Sequence, residues 1–534
     1  MKRLIILLFV ICSVLVSSAQ VSENPFRRKQ TVSFEIPKGV LDPSYYLDKE
    51  NDVVIGVGHT RKSKELIFYQ VDPYRGDMRE IVEIDLGKLK YGRVDAWYWK
   101  GLSLSKRPII IENGVATLFL LSYDKKTRVK TVLGMDIDLR TGVYSRPIEY
   151  WTQEVDRKVT GITRYDYNEE KQQLVFYSTM SEEDRDRAIV SVGIVDLGGD
   201  LVWKKTVDME TDNEFLTFHG IDLMDNGEVV LTMEEEKMEA NGTPRQVLYF
   251  HKFSADGEEL QTTSRVQELM GEITAFARTF ATRKMESGDF LISGTYGGSE
   301  RGTFAGAFTF IIDREKWECG EVNLMPLSNS VWNRLTENHK EIPDRKSTEG
   351  FKDMYMDTKW FRPSNDGGYF HVVENHYGRW VQISDGVGGT VTYWESCAND
   401  IVVIKLDKAG VPEWMDVVPK EQRQSTQTTY ESTVGSKVIE LNDGIGIMYI
   451  DHPNNQNRWP EDVSKPYIGM RGQLVLVGVS EGRQMEYNSV MPNEWKNVPI
   501  YLNNAQYYKG ENEEWLIFSD VDKGKKGGFI LMKE

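Results

Sequence analysis

Aromatic side chains are concentrated in one stretch of this sequence, and their types suit ligand binding. Tryptophan, tyrosine and phenylalanine residues recur between Trp360 and Trp394, with Arg379 among them and Phe361 included. Flat aromatic faces beside charged groups such as Arg379 and Asp385 suit a sugar ring or an extended peptide. The candidate ligand-binding residues are therefore Trp360, Tyr377, Arg379, Trp380, Tyr393 and Trp394. The alternative interpretation is that these rings pack between structural units.

The sequence lacks the common catalytic patterns. The seven histidines do not sit beside a serine or cysteine in a nucleophile motif. The motifs Gly-x-Ser-x-Gly and His-Glu-x-x-His are absent, and so is a glycine-rich phosphate-binding loop. Glycosidases use two or three carboxylates, but 82 acidic residues make any particular pair uninformative. We therefore assign no catalytic residue and expect no cofactor.

Two short patterns that contain acidic residues could in principle bind a metal ion. Glu374 and His376 would share one face of a strand, because side chains repeat every two residues, but no third ligand is apparent. The segment Asp520-Val521-Asp522-Lys523-Gly524 comes nearest to a calcium loop, yet it reads better as an ordinary turn with carboxylates. The sequence thus predicts no metal site.

Cysteine usage leaves one question open. Cys12 lies in an N-terminal apolar run, which leaves Cys319 and Cys397 in the rest of the chain. An oxidising compartment permits a disulfide between them without requiring one. The alternative is a pair of thiols.

The elements that would position these residues recur along the chain as a unit. In each copy a turn built on Asn, Asp or Gly precedes a short apolar strand, and a second apolar strand ends in an acidic residue and a nearby glycine. The turns that begin the clearest copies are Asn226-Gly227, Gly288-Asp289, Asp366-Gly367 and Asp443-Gly444, and weaker copies begin at Asn51-Asp52 and Asn113-Gly114. Such turn-bounded runs predict antiparallel strands.

The spacing of the units defines the expected fold. The closing acidic residues recur about every 60 residues, which is the size of a generous propeller blade with four strands. The interval from Asp313 to Asp407 is longer and predicts insertions near 327–350 and 376–398. We expect an all-β chain forming a single β-propeller over residues 20–534. It would have about eight four-stranded blades, with seven as the alternative.

Three local features refine this expectation. The alternating run Thr31–Ile36 would supply the outer strand missing from the last unit and close the ring. Glycines at 378, 386, 388 and 389 favour a mobile loop over 376–398. Apolar residues at helical spacing between Val266 and Phe280 permit a helix, but Gly271 weakens it, and a loop followed by a strand is favoured.

One unit resembles a known repeat. Residues Val403–Trp414 read as an aliphatic strand, an aspartate, a two-residue step, a glycine and then a tryptophan. This is similar to a repeat of bacterial secreted β-propellers, and Asp196–Trp203 looks alike. Phe253–Gly257 matches in part but lacks the tryptophan. The resemblance implies the fold and no particular function.

The N-terminus predicts export. Lys2 and Arg3 precede an apolar run over 4–16, and small residues follow at Ser17 and Ala19, so residues 1–19 fit a cleaved signal peptide. Val10 and Ile11 before Cys12 disfavour lipid attachment. The segment looks like those of proteins exported by Gram-negative bacteria, so we expect a periplasmic or extracellular location.

The net charge and the hydropathy of the chain limit the kinds of partner that it is expected to bind. The formal net charge is −17, which disfavours nucleic acid and anionic lipid as ligands. No second apolar stretch is long enough to span a bilayer. We therefore expect a non-catalytic binding or scaffolding module for a protein or glycan partner. The alternatives are a carbohydrate-active hydrolase or lyase with carboxylates at the channel mouth, and a structural component of an envelope complex. The oligomeric state is not indicated.

Overall fold

The computed structural model describes residues 27–38, 40–48, 51–60, 65–91, 94–98, 109–155, 163–181, 188–208, 216–224, 226–238, 244–266, 276–298, 303–338, 354–384, 389–426, 434–455, 467, 472–490, 500–509, 514–521 and 526–533. In this part of the chain the strands form eight antiparallel sheets, and six of them run in sequence order from the innermost strand outward. Residues 1–26, with the predicted signal peptide, lie outside the described residues.

The first half of the chain forms four blades, after an opening strand that belongs to the last blade. The strands are β1 (Arg27–Glu35); in blade 1, β2 (Val40–Asp48), β3 (Val53–Thr60), β4 (Glu65–Val71) and β5 (Met78–Asp85); in blade 2, β6 (Lys90–Tyr91), β7 (Val94–Tyr98), β8 (Ile109–Glu112), β9 (Val115–Asp124), β10 (Val129–Asp138) and β11 (Ile148–Glu154); in blade 3, β12 (Thr163–Asn168), β13 (Gln173–Ser181), β14 (Ala188–Asp196) and β15 (Leu201–Asp208); and in blade 4, β16 (Leu216–Leu223), β17 (Val229–Met238), β18 (Pro244–Phe253) and β19 (Leu260–Val266).

The second half forms blades 5 to 8. The strands are, in blade 5, β20 (Phe276–Lys284), β21 (Phe290–Gly297), β22 (Gly306–Ile312) and β23 (Asn323–Pro326); in blade 6, β24 (Met356–Pro363), β25 (Tyr369–Ser384), β26 (Thr390–Leu406) and β27 (Pro412–Thr426); in blade 7, β28 (Ser436–Leu441), β29 (Gly444–Asp451), β30 (Gln473–Val479) and β31 (Met485–Ser489); and in blade 8, β32 (Ile500–Lys509), β33 (Glu514–Val521) and β34 (Lys526–Lys533).

The eight sheets close into a ring, so the chain is an eight-bladed β-propeller. The innermost strands of neighbouring blades contact one another, and β32 of blade 8 contacts β2 of blade 1. The N-terminal strand β1 pairs antiparallel with β34, with Thr31 opposite Ile530, and becomes the outer strand of blade 8. The predicted closure by an N-terminal strand is therefore confirmed, as is the count of eight over seven.

Burial explains why the middle strands are continuous apolar runs. All eight residues of β21 and of β29 are buried, because each blade packs against neighbours on both faces. The outer strand β15 is mostly exposed apart from Trp203. The core is accordingly a series of apolar clusters between adjacent blades, such as the one that joins Phe370 and Val403 of blade 6 to Ile445 and Val477 of blade 7.

The two ends of the propeller differ in their connections. Turns that join a blade's first strand to its second, or its third to its fourth, lie at one end, which we call the turn end. Among the described residues, all those with positive φ lie in these turns except Arg128 and Gly435. The closing aspartates cap the turns, as when the Asp407 carboxylate accepts a hydrogen bond from the Val411 N–H at 2.8 Å.

The other end, which we call the loop end, carries the longer connections. One of them contains the helix α1 (Asn329–Asn338), which buries Val331 and Leu335 against the core between blades 5 and 6. The Ser328 side chain accepts a hydrogen bond from the Val331 N–H at 3.3 Å and caps its start. A short 3-10 helix covers Pro453–Asn455. Residues 339–353, which include half of the predicted 327–350 insertion, lie outside the described residues.

Two local expectations can be compared with the structure. Over 276–284 the chain is a strand, as favoured, and 267–275 lie outside the described residues. The expected mobile loop over 376–398 is wrong for the described part of that segment, which continues β25 and β26 as paired strands. Cross-strand pairing over Thr390–Thr392 outweighs the local glycine content. Cys319 and Cys397 are free thiols.

Candidate binding site on blade 6

Blade 6 is longer than its neighbours at the loop end. The strands β25 and β26 have 16 and 17 residues and pair as far as Ser384 opposite Thr390. The innermost strand β24 pairs with β25 only as far as Asn375, whereas β27 accompanies β26 up to Trp394 opposite Thr426. We call residues 376–384 and 390–398 the extended hairpin. It projects a sheet surface beyond the body of the blade.

One face of the extended hairpin carries a tryptophan pair. Trp380 lies directly opposite Trp394, and the ring centroids are 5.2 Å apart with the planes at 70°. Trp380 is 70% exposed and Trp394 38% exposed. Gly378 makes room for this arrangement, because a Cβ at that position would lie 2.0 Å from Cζ2 of Trp394. The indole of Trp394 therefore lies against bare backbone.

Among the described residues, the side chains that share a face with the tryptophan pair at its nearest positions are uncharged. Gln382 and Thr392 are exposed and directly opposite each other, and Ser396 and Gln424 are half-buried and paired across β26 and β27. Directly opposite residues of an antiparallel sheet project to the same side. We call this surface, with Trp380 and Trp394, the tryptophan face. It combines aromatic rings with amide and hydroxyl groups.

The opposite face of the extended hairpin is charged. Both Nε and Nη2 of Arg379 donate to Oε2 of Glu395, at 2.8 and 2.7 Å. Tyr377 packs against Tyr355 with ring centroids 6.0 Å apart, and burial raises the pKa of its phenol to about 12. Tyr393 is half-buried on this side. The Arg379 pair is exposed enough that it contributes little to stability.

The structure thus brings together only two of the six predicted ligand-binding residues, Trp380 and Trp394. Tyr377, Arg379 and Tyr393 lie on the opposite side of the same sheet, because side chains alternate along a strand. Trp360 is in β24, where it packs against the apolar cluster between blades 6 and 7. The packing interpretation therefore holds for Trp360. Asp385 lies outside the described residues.

A buried charged cluster anchors the base of the extended hairpin. Glu374 is fully buried, and its carboxylate lies 2.5 Å from the Lys420 ammonium and 3.1 Å from that of Lys359. Burial raises the pKa of Glu374, but the two ammonium groups lower it more and hold it at about 2. Glu374 is thus an ionised partner of two lysines rather than one of a pair of metal ligands with His376. In the part of the chain that the structure describes, no group of three or more His, Cys, Asp or Glu side chains could hold a metal ion.

Sequence reasoning missed the residues that support the tryptophan pair. In the sequence Gly378 favours a loop, whereas in the structure it makes room for the indole ring of Trp394. Lys420 is 46 positions from Glu374 and has no local signal. Side chains alternate along a strand, so a strand through Trp380 places Arg379 on the other side of the sheet.

Comparison with known proteins leads to the fold class and no further. No protein-family profile matches the sequence, and no curated protein sequence matches it. Among solved structures, a polysaccharide lyase described as an ulvan lyase aligns with a TM-score of 0.37 and 11% identity, covering 81% of this chain and 93% of that one. The β-propeller domain of the Trilobed protease from Pyrococcus furiosus gives 0.33 and 9%, over 86% and 96%.

An α-L-arabinanase from Penicillium chrysogenum aligns with a TM-score of 0.29 and 14% identity, covering 65% of this chain and 93% of that one. At these TM-scores and identities the similarities carry no argument about the activity of the present chain. Within the described residues, no helix has the length and apolar character needed to cross a membrane.

Proposed function

We propose that this protein is an exported, non-catalytic binding propeller that holds a glycan against the tryptophan face. The observation that carries the proposal is the exposed Trp380 paired with Trp394 on a hairpin that projects from the body of the molecule. An indole left in water costs free energy that a bound apolar surface recovers. Export rests on the predicted signal peptide over residues 1–19.

The surroundings of the two rings favour a glycan over a protein partner. A stable protein interface buries about 1,600 Å² in total around an apolar centre. The tryptophan face offers two rings bordered by the amide and hydroxyl groups of Gln382, Thr392 and Ser396. Sugar rings combine apolar C–H surfaces with hydroxyl groups and match such a surface in both respects.

A binding role is also consistent with the acidic groups of the extended hairpin. Glu395 lies on the opposite face and is held by Arg379 at 2.7 Å. Glu374 is buried beneath two lysines. Retaining and inverting glycosidases need two carboxyl groups about 5 to 10 Å apart around the scissile bond. Neither of these two carboxylates is placed to act on a sugar stacked against Trp380.

The experiment is a glycan array followed by titration, using tryptophan fluorescence as the readout. The mature chain is compared with Trp380→Ala and Trp394→Ala, and with Tyr144→Ala as a control for an exposed aromatic residue at the turn end. We expect a glycan that quenches fluorescence and that binds each tryptophan variant at least about tenfold more weakly.

Three results would overturn the proposal. The first is the absence of any glycan ligand. The second is equal binding by the wild type and both tryptophan variants. The third is cleavage of the bound glycan during the titration, detected as new reducing or unsaturated ends. Capture of a protein partner that depends on Trp380 would contradict the glycan assignment alone.

A further inference from the structure

Three consecutive blades carry a β-bulge in their innermost strands. In blade 4 the pairing steps from Phe218–Met233 to Gly220–Thr232, which leaves His219 as the extra residue. Blade 5 skips Arg278 between Ala277 and Thr279, and blade 6 skips Lys359 between Thr358 and Trp360. We call His219, Arg278 and Lys359 the bulge row. Each is a basic residue in a chain of net charge −17.

The bulge row is continuous around the inner edge of the propeller. The strands β16, β20 and β24 are innermost in their blades and contact one another in sequence. The ring of His219 lies 4.3 Å from that of Phe280 in the next blade, measured between centroids. Oγ1 of Thr279 and Oγ1 of Thr358, each next to a bulge residue, are 3.1 Å apart. All three bulges lie in the half of the strand nearer the loop end.

His219 is held by a buried carboxylate. Its Nε2 lies 2.5 Å from Oε2 of Glu234, and the Gln246 amide donates to the other oxygen of Glu234 at 2.5 Å. The same glutamine bonds to the Ala277 backbone at 2.9 and 2.7 Å, which ties the blades together at the bulge. Burial raises the pKa of Glu234, but His219, Gln246 and Arg278 lower it below its ordinary value.

Blade 6 repeats this arrangement with a lysine. Glu374 follows Val373 on β25 as Glu234 follows Met233 on β17, so the two glutamates are equivalent. Lys359 contacts Glu374 at 3.1 Å and Asp357 at 2.8 Å. Burial lowers the pKa of Lys359, and these two carboxylates raise it above its ordinary value. Lys359 is therefore charged at neutral pH.

The basic groups of the bulge row are more exposed than the carboxylates that hold two of them. The side chains of His219 and Lys359 are 22% and 19% exposed, whereas those of Glu234 and Glu374 are 13% and 0% exposed. Arg278, between them, packs its guanidinium over Phe276 at 5.2 Å and donates to the Gly298 carbonyl. Asp357, which is largely exposed, also competes for Lys359.

β-Bulges re-aim side chains and occur preferentially beside functional sites. Three of them here place basic groups on three adjacent innermost strands, and acidic residues on the second strands hold two of those groups. We propose that the bulge row is a binding site for an oxyanion, a carboxylate or sulfate group carried by the ligand. Arg278 and Lys359 supply the charge, and His219 supplies an oriented hydrogen-bonding ring.

The test uses titration calorimetry of the full mature chain with three probes. Inorganic sulfate and trigalacturonate carry the oxyanion, and the neutral sugar maltotriose is the matched control. We expect binding of at least one anionic probe, weakening as salt rises from 50 to 500 mM because screening reduces the attraction, and no response from maltotriose at this site. A response to trigalacturonate alone identifies a carboxylate-bearing sugar, and a response to both anions identifies the shared charge.

Substitutions in the bulge row show where the anion binds. Arg278→Gln and Lys359→Met should each weaken anion binding about tenfold, because a charge-assisted contact is lost. Arg278→Lys should retain most of it, and Lys408→Met at the turn end should leave it unchanged. Thermal melting shows whether each variant is folded, and the salt dependence of the wild type is independent of every substitution.

The proposal fails if neither anion binds, if binding is insensitive to salt, or if the folded Arg278→Gln and Lys359→Met variants bind like wild type. Its outcome is separable from that of the glycan proposal. Trp380→Ala should retain sulfate binding, since the tryptophan face and the bulge row are on different strands. Loss of sulfate binding in Trp380→Ala would contradict the assignment to the bulge row.

Discussion

At the level of single residues, Gly378 sets the position of Trp394. A methyl group at this position would approach Cζ2 of Trp394 to 2.0 Å, so one of the two must move. We expect Gly378→Ala to weaken glycan binding about tenfold while the melting temperature changes little, because the strain is relieved by rotating an exposed ring. Fluorescence titration and calorimetry measure the two effects.

Gly482→Ala is the matched control for this substitution. Gly482 lies in an exposed turn where the nearest atom to an added Cβ, Oγ of Ser480, is 3.8 Å away. It should leave glycan binding unchanged. Equal affinities for Gly378→Ala and the control would show that the indole position does not matter for the ligand.

Glu374 links stability to pH. Its pKa is about 2 in the folded protein, below the ordinary value of about 4.3 expected in the unfolded chain. A lowered carboxyl pKa contributes stability above the unfolded pKa, and this contribution is lost as the pH falls through about 4 toward 2. We expect the free energy of unfolding to decline over that range more steeply in wild type than in Glu374→Gln.

The same substitution should lower stability at pH 7 by about 3 kcal/mol, because it leaves the buried Lys420 without its carboxylate, whereas Lys359 keeps Asp357. Denaturant unfolding at several pH values measures both effects. Glu413→Gln, at an exposed position, serves as the control and should follow the wild-type curve. A variant Glu374→Gln with the wild-type pH slope would contradict the ion-pair explanation.

The binding role of the predicted residues stays a prediction, and the structure gives only their placement. The aromatic concentration leads to Trp380 and Trp394, which form the exposed pair. Arg379 and Trp360 lie elsewhere, because a set defined by sequence proximity ignores which side of a strand each residue occupies. Lys420 could not be found at all, since its partner comes from another strand 46 positions away.

At the level of elements, the extended hairpin should be separable from the blade. Tyr377 lies directly opposite Cys397, so replacing residues 378–396 by Asn-Gly would join the two strands through a two-residue turn. We expect the shortened protein to keep its circular dichroism spectrum and to melt within a few degrees of wild type. Glycan binding should be lost.

Sulfate binding serves as the internal control for this deletion. The bulge row lies on β16, β20 and β24, none of which is altered, so the shortened protein should still bind the anion. Retention of full glycan affinity would show that the tryptophan face is not the binding surface. Collapse of the circular dichroism spectrum would show that the hairpin is part of the folding core.

Elements were predicted where the repeat was regular. The strand over 276–284 and the turn-bounded pairs in each blade follow from apolar runs between Asn, Asp and Gly turns. The helix α1 was missed because Val331, Trp332 and Leu335 form only a short apolar stripe, and it is stabilised by packing against blade 6. The sequence favours a loop for the hairpin because four glycines between 378 and 389 interrupt its strand-forming residues.

At the level of the whole molecule, the pairing of β1 with β34 can be tested by locking it. Glu35 lies opposite Lys526, and both are exposed, so cysteines at these positions should form a disulfide without disturbing the core. Because the bond closes a loop spanning almost the whole chain, we expect the melting temperature to rise by a few degrees in the oxidised form.

Reduction of the same protein provides the control and should return the melting temperature to that of the double variant without the bond. Peptide mapping identifies the Glu35→Cys to Lys526→Cys linkage among the native thiols Cys319 and Cys397. Failure of the bond to form in the folded protein would contradict closure of the ring through β1.

The ring itself was largely predictable. A unit of about 60 residues, recurring with an alternating run at the start of the chain, leads to a closed propeller because closure removes exposed strand edges. The features of the loop end were not predictable, since insertions interrupt the repeat and their conformation depends on packing with neighbouring blades. The bulge row likewise has no periodic signal, because a bulge shifts pairing by one residue without altering composition.

Positive-φ residues are concentrated at the turn end, so the two ends of the propeller differ in how strongly the backbone restricts substitution. At that end the backbone geometry dictates the side chain, as at Gly410, where an added Cβ would lie 2.6 Å from Leu291 of the neighbouring blade. At the other end, among the residues that the structure describes, Arg128 and Gly435 are the ones with positive φ. Substitutions at the loop end can therefore change the binding surface while the turn end preserves the fold. The propeller is thus suited to acquiring new binding specificities without losing its structure.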